Sequence, residues 1–541
     1  MKKNNLFKAL LLLVGVLYLN SCSVETYPET RLFRPVLNQD LLPTNNTITV
    51  DMGKLKSAVY YKIEVSRDTF KTVLKSFDTP ENKFVITDLL WNTLYQVRAT
   101  AFAEKEEFNS KISDFGGVKT EKYPSILFLQ STNDVTDIAV RLRWAVVAGG
   151  QEVTTVKVFA GKDEELSTPL ATYQTTPGEI TAGQKIIPGL LPNTKYQLAI
   201  YSGATVRGWD LYTTKPPLTV VGTPIDLRNI PVTSSSLNNA YAAATNGQTI
   251  ILDGDSEYKF NGNIVLNKSI VFKSGYTFSG GATLEMNNQF EVGSGTYSVV
   301  FDGVKLKGLT GSAQTSYIVN GGTTSTGTIT DLKFLNCLMD NFRNLIRIRS
   351  NWGSGSLGTL TIDNSIVTNF GSAGMISTDN AVVTAPINNI VITNSTLFNI
   401  QKLIYLRNSN ASSCAVRISD CTFYEAAKTA AMIEGTTAAT IPNLQISNSI
   451  FGRGITSGST TVTPPATVYD YALTKTVSAA PALVNNYNTN DFNFLAPIPS
   501  PITLFAGDAQ ALWVDPAKGN FRIKAINFVG KNTAGDPRWR P

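Results

Sequence analysis

Between residues 334 and 449, short apolar alternations recur at near-constant spacing, and each runs into a turn of Asn, Ser or Gly. The units Phe334-Leu335-Asn336-Cys337, Ile362-Asp363-Asn364-Ser365, Ile392-Thr393-Asn394-Ser395, Ile418-Ser419-Asp420-Cys421 and Ile446-Ser447-Asn448-Ser449 step by 28, 30, 26 and 28 residues. Period-two alternation bounded by such turns predicts strands. One unit cannot bury its own apolar face but stacked coils can, so the repeat predicts a β-solenoid. At each sharp turn Asn tolerates the left-handed conformation, and its amide can bond the coils above and below. The Asn/Asp column therefore predicts a scaffold ladder. A second column lies five residues on, at Asn341, Asn369, Asn399, Glu425 and Arg453, and predicts a second ladder. Cys337 and Cys421 stand where Ser365, Ser395 and Ser449 stand, which predicts small turn fillers and not a redox pair. Upstream, residues 236–245 (SLNNAYAAAT) predict a short amphipathic helix and residues 247–252 a strand. Less regular strands are expected at 269–273 and 298–305.

The N-terminal half follows a different rhythm. Leu89-Leu90-Trp91-Asn92-Thr93-Leu94-Tyr95-Gln96-Val97 is echoed by Leu190-Leu191-Pro192-Asn193-Thr194-Lys195-Tyr196-Gln197-Leu198 at an offset of 101 residues, the size of one immunoglobulin-like sandwich. This segment resembles the corner between the fifth and sixth strands of fibronectin type III domains. The resemblance implies that Tyr95 and Tyr196 are corner tyrosines. Val140-Arg141-Leu142-Arg143-Trp144 alternates as a strand, with Trp144 a candidate core residue. The first copy departs from the pattern at Trp91, which stands where Pro is usual. The modules are expected at about 28–121 and 122–217. They show no site-like cluster and are expected to act as spacers.

Four further resemblances bear on the remainder. Lys2, Lys3 and Lys8 precede an apolar run over 9–19, and Leu19-Asn20-Ser21-Cys22 follows. This resembles the lipobox of bacterial lipoproteins and implies a signal peptide over 1–21 with Cys22 acylated. Glu25 and Glu29 loosely resemble the acidic stretch that marks surface export in some Gram-negative glycan degraders. A short helix before Gly247-Gln248-Thr249-Ile250-Ile251-Leu252 resembles the start of right-handed parallel β-helices, which places that domain at 220–541. Trp513-Val514-Asp515-Pro516 through Arg522-Ile523-Lys524, with Ala534-Gly535-Asp536-Pro537-Arg538-Trp539, looks like the closing segment of β-helix lipoproteins from glycan-degrading anaerobes. That family is filed under domains of unknown function, and the resemblance implies a cap over about 501–541. The expected fold is all-β: two fibronectin type III-like sandwiches followed by a right-handed parallel β-helix.

Composition narrows the chemistry. The chain has no histidine, which excludes Ser-His-Asp and Cys-His nucleophile systems and His-ligated metals. Without the first 21 residues, 44 basic residues face 41 acidic ones, so bulk charge gives no argument for nucleic acid. Cysteines beyond Cys22 number three, an odd count that makes a disulfide framework an unsuitable organising device.

Candidate chemistry comes from counting along the coils. Eleven residues after the Asn column lie Arg347, Met375, Tyr405 and Ala431; thirteen after lie Arg349, Ser377, Arg407 and Ile433. Ile348, Ile376, Leu406 and Met432 lie between them and are expected to point inward. One outer face would then carry Arg347, Arg349, Tyr405 and Arg407, with Trp352, Asp379, Asn408 and Glu434 in the following turns. Arg matches a carboxylate with a planar fork, and an aromatic ring offers a flat face to a sugar. Together they fit a uronic-acid polysaccharide. The competing reading is a solvated face with incidental arginines and Trp352 packed under a loop.

Resemblance to pectate-lyase-like β-helices raises β-elimination as an alternative, with Arg347, Arg349 or Arg407 as base and Ca2+ as its only expected cofactor. Such a calcium site wants converging carboxylates, and Asp363, Asp379, Glu425 and Glu434 fall in different columns. The pattern of galacturonase-type β-helices is absent too, since it needs a Gly-His-Gly. Arg522-Ile523-Lys524 looks like that family's Arg-Ile-Lys but falls in the expected cap. The expected function is therefore glycan binding by a lipid-anchored outer-membrane protein with no resident cofactor. Its partners would be the polysaccharide, the membrane through the lipid, and an outer-membrane glycan transporter, with no nucleic acid. A structural or adhesive envelope role is the third reading.

Overall fold

The computed structural model describes residues 30–541 except 147–151, 310–313, 322–324, 351, 353, 380–384, 408–413, 427–430, 436–442, 455–468, 476–480 and 495–500. Cys22 and Asn408 therefore lie outside the described residues. The chain divides into two compact units. The first comprises residues 1–128, 143–184 and 195–212; the second comprises 129–142, 185–194 and 213–541.

The fold is all-β, with fibronectin type III-like sandwiches before a parallel β-helix. In the first sandwich, strands Leu42–Thr44, Thr47–Asp51 and Lys83–Ile86 form one antiparallel sheet. Lys75–Thr79, Tyr60–Ser66, Leu94–Phe102 and Ser113–Lys119 form the other. Ile48, Val50, Ile63, Val65 and Val97 alternate inward and are fully buried. The Tyr95 hydroxyl accepts the Leu90 N–H at 2.9 Å, as expected of a corner tyrosine. Burial raises the pKa of that hydroxyl, opposed by the Leu90 bond. In the second sandwich a four-stranded sheet runs Pro169–Gln174, Thr155–Ala160, Lys195–Ser202 and Thr205–Thr213, and Val140–Arg143 pairs with Gln184–Ile187. Trp144 is buried, as its place in the alternation predicts.

From Ile225 the chain winds through three parallel sheets of ten, ten and nine strands. The helix forms over Ser236–Ala243 and buries Leu237, Ala240 and Tyr241 against the first coils. The strand expected over 298–305 is two strands, Thr296–Asp302 in the first sheet and Lys305–Gly308 in the second. They are separated at Gly303, whose φ of 70° turns the corner that the alternation conceals. Inside the coil, Phe272, Phe301 and Phe334 stack with centroids 5.2 and 5.1 Å apart. Ile362, Ile392, Ile418 and Ile446 continue the Phe334 column in register.

The first ladder is present throughout and the second from Asn341 to Glu425; Arg453, counted as its last member, does not take the left-handed conformation. Asn336, Asn364, Asn394, Asp420 and Asn448 have φ between 47° and 56°, and Asn341, Asn369, Asn399 and Glu425 have φ between 50° and 68°. Asn364 Nδ2 donates to Asn336 Oδ1 at 2.7 Å, and Asn336 Nδ2 donates to Asp302 Oδ1 at 2.8 Å. In the second ladder Asn399 donates to Asn369, and Asn369 Nδ2 donates to Asp340 Oδ1 at 2.6 Å. The fillers form a third, buried line. Cys337 N–H donates to Ser365 Oγ at 3.0 Å, and Ser365 N–H donates to Ser395 Oγ at 3.1 Å. Cys337, Cys414 and Cys421 are free and buried. Burial pushes the Cys337 and Cys414 thiols up to about 12 and raises that of Cys421 as well.

Only part of the C-terminal segment closes the helix end: Ile502–Phe505 adds the last strand of the second sheet. Beyond it the chain packs along that sheet's flank. Leu512, Trp513, Phe521 and Phe528 form a buried cluster with Tyr424, Ile450 and Tyr487. Asp536 accepts from Thr396 Oγ1 at 2.7 Å, Arg538 donates to Asn364 Oδ1 at 2.9 Å, and Arg540 pairs with Asp420 at 2.7 Å. A Cβ on Gly452 would sit 2.3 Å from the Trp513 ring, so this coil must lack a side chain there.

The ladder yields a direct test. Asn364→Ala removes an amide rung and places Ala in the left-handed region, a combined cost of about 2–3 kcal/mol. Asn364→Gly relieves the backbone part, so urea denaturation should rank stability as Asn, then Gly, then Ala. Equal stabilities for the two variants would mean that the conformation at this turn costs nothing.

Candidate functional site

The third sheet presents the outward column expected to carry function, in a different register. Asn320, Arg347, Ser377, Tyr405 and Glu434 are successive partners on adjacent strands. Counting from the Asn column put Met375 beside Arg347 and Ala431 beside Tyr405, and both placements are incorrect. The reason is turn length. Asn341 and Asn399 each stand six residues before their outward partner, whereas Asn369 stands eight before Ser377 and Glu425 nine before Glu434. The residues between the second and third sheets vary in number, so a fixed count drifts. Met375 and Ser377 are both buried.

The structure gathers most of the expected residues. Arg347 engages Asp379 bidentately, with Nε–Oδ1 at 2.9 Å and Nη2–Oδ2 at 3.0 Å. The Asp379 hydrogen bonds raise the Arg347 pKa, so its charge is fixed. Arg407 Nη2 lies 3.7 Å from Asp379 Oδ1, and Arg407 Nε donates to Thr378 O at 2.9 Å. Glu434 pairs with Lys402 at 2.6 Å. Lys402 Nζ sits 3.7 Å from the Tyr405 ring centroid and the Arg407 guanidinium 4.8 Å from it. Arg349 follows the Asn344–Ile348 strand directly, is partly exposed, and has no ion pair among the described residues.

Trp352 is a correction. It does not stand on the outer face but is fully buried in the coil core, with Nε1 donating to Gly327 O at 3.0 Å. A Cβ on Gly321 would lie 2.9 Å from its ring and one on Gly355 2.7 Å from its Nε1. Those two glycines clear the slot that holds the indole. Of the competing reading, the packing of Trp352 holds, but it packs in the coil core.

Sequence reasoning missed three contributors. Lys402 sits in the turn before its strand, where no column runs. Tyr317 lies under Arg343 and Arg347, whose guanidinium carbons are 5.9 and 5.7 Å from its ring centroid. Arg343 occupies the single-residue corner between Leu338–Phe342 and Asn344–Ile348 and is exposed. The patch thus holds Arg343, Arg347, Arg349, Lys402 and Arg407 against Asp379 and Glu434. Both tyrosine rings are engaged by cations of this chain. Among the described residues no group of three or more acidic or cysteine side chains could hold a metal ion. Also among them, no helix is long and apolar enough to cross a membrane.

Residues 416–539 match the model of a family described as a domain of unknown function, DUF5123, and residues 256–400 match that of a second, DUF4957. No curated protein matches. Among solved structures, the FN1-FN3 domains of chicken CNTN1 are similar at 14% identity. They cover 34% of this chain and 68% of their own, with a TM-score of 0.16. A two-domain fibronectin type III segment of chicken tenascin is similar at 15% identity, over 34% of this chain and 98% of its own, also with a TM-score of 0.16.

The burial of Trp352 generates a prediction. Trp352→Ala should cost about 3–5 kcal/mol of stability through lost packing and a cavity, and should expose the Gly327 carbonyl. Urea denaturation measures this. A stability change under about 1 kcal/mol would return Trp352 to the surface.

Proposed function

We propose that the protein is an envelope lipoprotein that binds an acidic, uronic-acid-containing polysaccharide on the outer face of the third sheet. The observation that carries this reading is the charge balance of the patch: Arg343, Arg347, Arg349 and Arg407 reach solvent against Asp379, while Lys402 is buried and paired with Glu434. Coils repeat at about the strand spacing of 4.8 Å, so a polyanion lying along the axis would meet the cations of the Arg347 coil and of the Arg407 coil, two spacings apart. Asp379 holds Arg347 in place, and Tyr405 holds Lys402 and Arg407. Their side chains are thereby ordered before a ligand arrives, which lowers the entropy cost of binding. The lipobox-like segment ending at Cys22 supports attachment to the outer membrane, with the sandwiches as the stalk. The likeness of the C-terminal segment to β-helix lipoproteins of glycan degraders supports the same setting, in which a glycan transporter is the natural partner.

β-Elimination is the alternative. It asks for acids gathered beside Arg349 or Arg407, and Asp379 is the one carboxylate found there among the described residues. Binding is therefore the better supported reading.

Two experiments test the proposal. The chain from Ser23 onward is run in native gels containing polygalacturonate or alginate, with calcium, while the absorbance of unsaturated uronides is followed. Retardation without absorbance is expected. Arg349→Ala with Arg407→Ala removes two cations yet leaves the Arg347–Asp379 pair intact, and should weaken retardation at least tenfold. Undiminished retardation in that variant would move the site elsewhere, and rising absorbance would make the face an active site. For the anchor, full-length protein should partition into the detergent phase and Cys22→Ser into the aqueous phase; equal partitioning would overturn lipidation at Cys22.

A further inference from the structure

The first compact unit holds a cavity of about 890 Å3 whose lining residues come from both of its sandwich segments and none from the coils. Its volume falls in the range of small-ligand sites, about 300–1,000 Å3. Three rings distant in sequence build one wall. Trp91 stands edge-on to Tyr123 with centroids 5.2 Å apart, and Tyr123 lies 4.5 Å from Trp209. The Tyr123 hydroxyl donates to Val206 O at 2.6 Å, which fixes the middle ring. Trp91 and Trp209 are partly exposed, and neither indole N–H has a hydrogen-bond partner among the described residues. They differ in this from Trp352, which is buried with its N–H satisfied. Trp91 is also the residue that breaks the corner pattern of the first sandwich. The corner geometry survives the exchange, since Tyr95 still holds Leu90, so the fold does not demand the indole.

The opposite wall is a braced loop carrying Glu164, Glu165 and Leu166. The Asp163 carboxylate accepts from Ser167 N–H, Ser167 Oγ and Thr168 N–H at 2.9–3.0 Å, and these bonds lower its pKa. Leu166 is held at φ 56°, a region a leucine rarely occupies, and its side chain packs against the buried cluster of Phe159, Ala199 and Tyr201, as do those of Val206 and Trp209. Such backbone persists only where the surroundings over-determine it, as at ligand clamps. The remaining ionisable lining residues are Lys75 and Asp88. Lys75 Nζ donates to the carbonyls of Thr87 and Asp88, at 3.1 and 2.8 Å. Glu164 pairs with Arg67 at 2.9 Å, so Glu165 and Asp88 face the one committed ammonium and leave the cavity with a net negative charge.

We infer that this cavity binds an uncharged oligosaccharide, as a second glycan site with the opposite electrostatic character to the coil face. Flat rings with free indole N–H groups match the apolar face and hydroxyl edge of a pyranose. Glu165 and Gln197 supply acceptors and donors for further hydroxyls. The acidic lining disfavours a uronate. The inference stands apart from the proposal for the coils, because none of its residues belongs to them.

The test is tryptophan fluorescence of the chain from Ser23 onward, titrated with cellohexaose, mannohexaose, xylohexaose and maltohexaose, and with hexagalacturonate for comparison. A saturable change is expected with at least one neutral hexasaccharide and none of that origin with hexagalacturonate. Trp209→Ala should weaken it at least tenfold, and Glu165→Gln, which leaves the rings intact, at least threefold. Arg349→Ala with Arg407→Ala should leave it unchanged, so this result and that of the coil proposal are separable. Silence with all four neutral sugars overturns the inference and leaves the rings as packing between sandwiches. So does a response that survives both Trp91→Ala and Trp209→Ala, or saturation by hexagalacturonate that Trp209→Ala removes.

Discussion

A parallel coil must turn three corners per circuit, and the corners after the first and second sheets demand left-handed backbone. That demand shapes the rest of the molecule. Asn meets it because its short amide stabilises the conformation locally and still reaches the neighbouring coil. Asn364 bonds Asn336, and Asn399 bonds Asn369, so each corner is pinned to the one before it. With the corners pinned, the strands between them fall into register, and Phe334, Ile362, Ile392 and Ile418 line one inward column. The inward columns then bury their apolar faces together, and stability accrues coil by coil. The corner between the second and third sheets is looser. Its length varies from coil to coil.

Regular corners also free the outward columns from structural duty, and what these columns carry tells what covers them. On the second sheet one column reads Lys259, Glu285, Lys307, Asp340, Thr368, Phe398, Tyr424 and Gly452. Its first half alternates in charge and Lys259 pairs with Glu285 at 2.9 Å, as suits solvent. Its second half turns aromatic where Trp513 and Phe521 pack on it. Gly452 completes the change, because only a missing side chain admits the indole. The terminal segment therefore acts as a flank cover more than an end plug. It ties to the coil ladder through Asp536, Arg538 and Arg540.

How much of this was legible in sequence depended on how local the constraint was. The ladders could be read because each rung is a residue type at a fixed offset with a conformational reason. Tyr95 could be read for the same cause. The register of the third sheet could not, since turns of unequal length precede its strands: two extra residues before Ser377 and three before Glu434 displaced those positions, while Arg347 and Tyr405 kept the counted offset. Trp352 was misplaced because its polar neighbours Arg349 and Ser350 suggest surface. The signal that would have placed it inside is spread over Gly321 and Gly355, which lie 34 residues apart. Lys402 and Arg343 gave no signal, since corner residues follow no period, and Tyr317 opens the strand Tyr317–Gly321, upstream of the coils that were counted. The cover on the second sheet was legible in principle, from the switch of an outward column to Phe398 and Tyr424, but only once that column's register is known.

The same reasoning separates the two surfaces to which chemistry can be assigned. On the coil face, aromatic rings serve cations: Tyr317 lies under Arg343 and Arg347, and Tyr405 lies beside Lys402 and Arg407. A ring so engaged raises the local density of ordered positive charge and leaves little face for a sugar. In the sandwich unit the rings of Trp91, Tyr123 and Trp209 engage one another, and the charges nearby are Glu165, Asp88, the Arg67–Glu164 pair and Lys75. Aromatic content alone would have made both sites look alike. What distinguishes them is the partner each ring already has, because a ring can present to a ligand only the face its own protein leaves bare. An acidic polymer and a neutral one would thus be sorted by electrostatics on two parts of one chain. A glycan with both kinds of segment could engage both, and its avidity would then depend on the spacing between its charged and uncharged stretches.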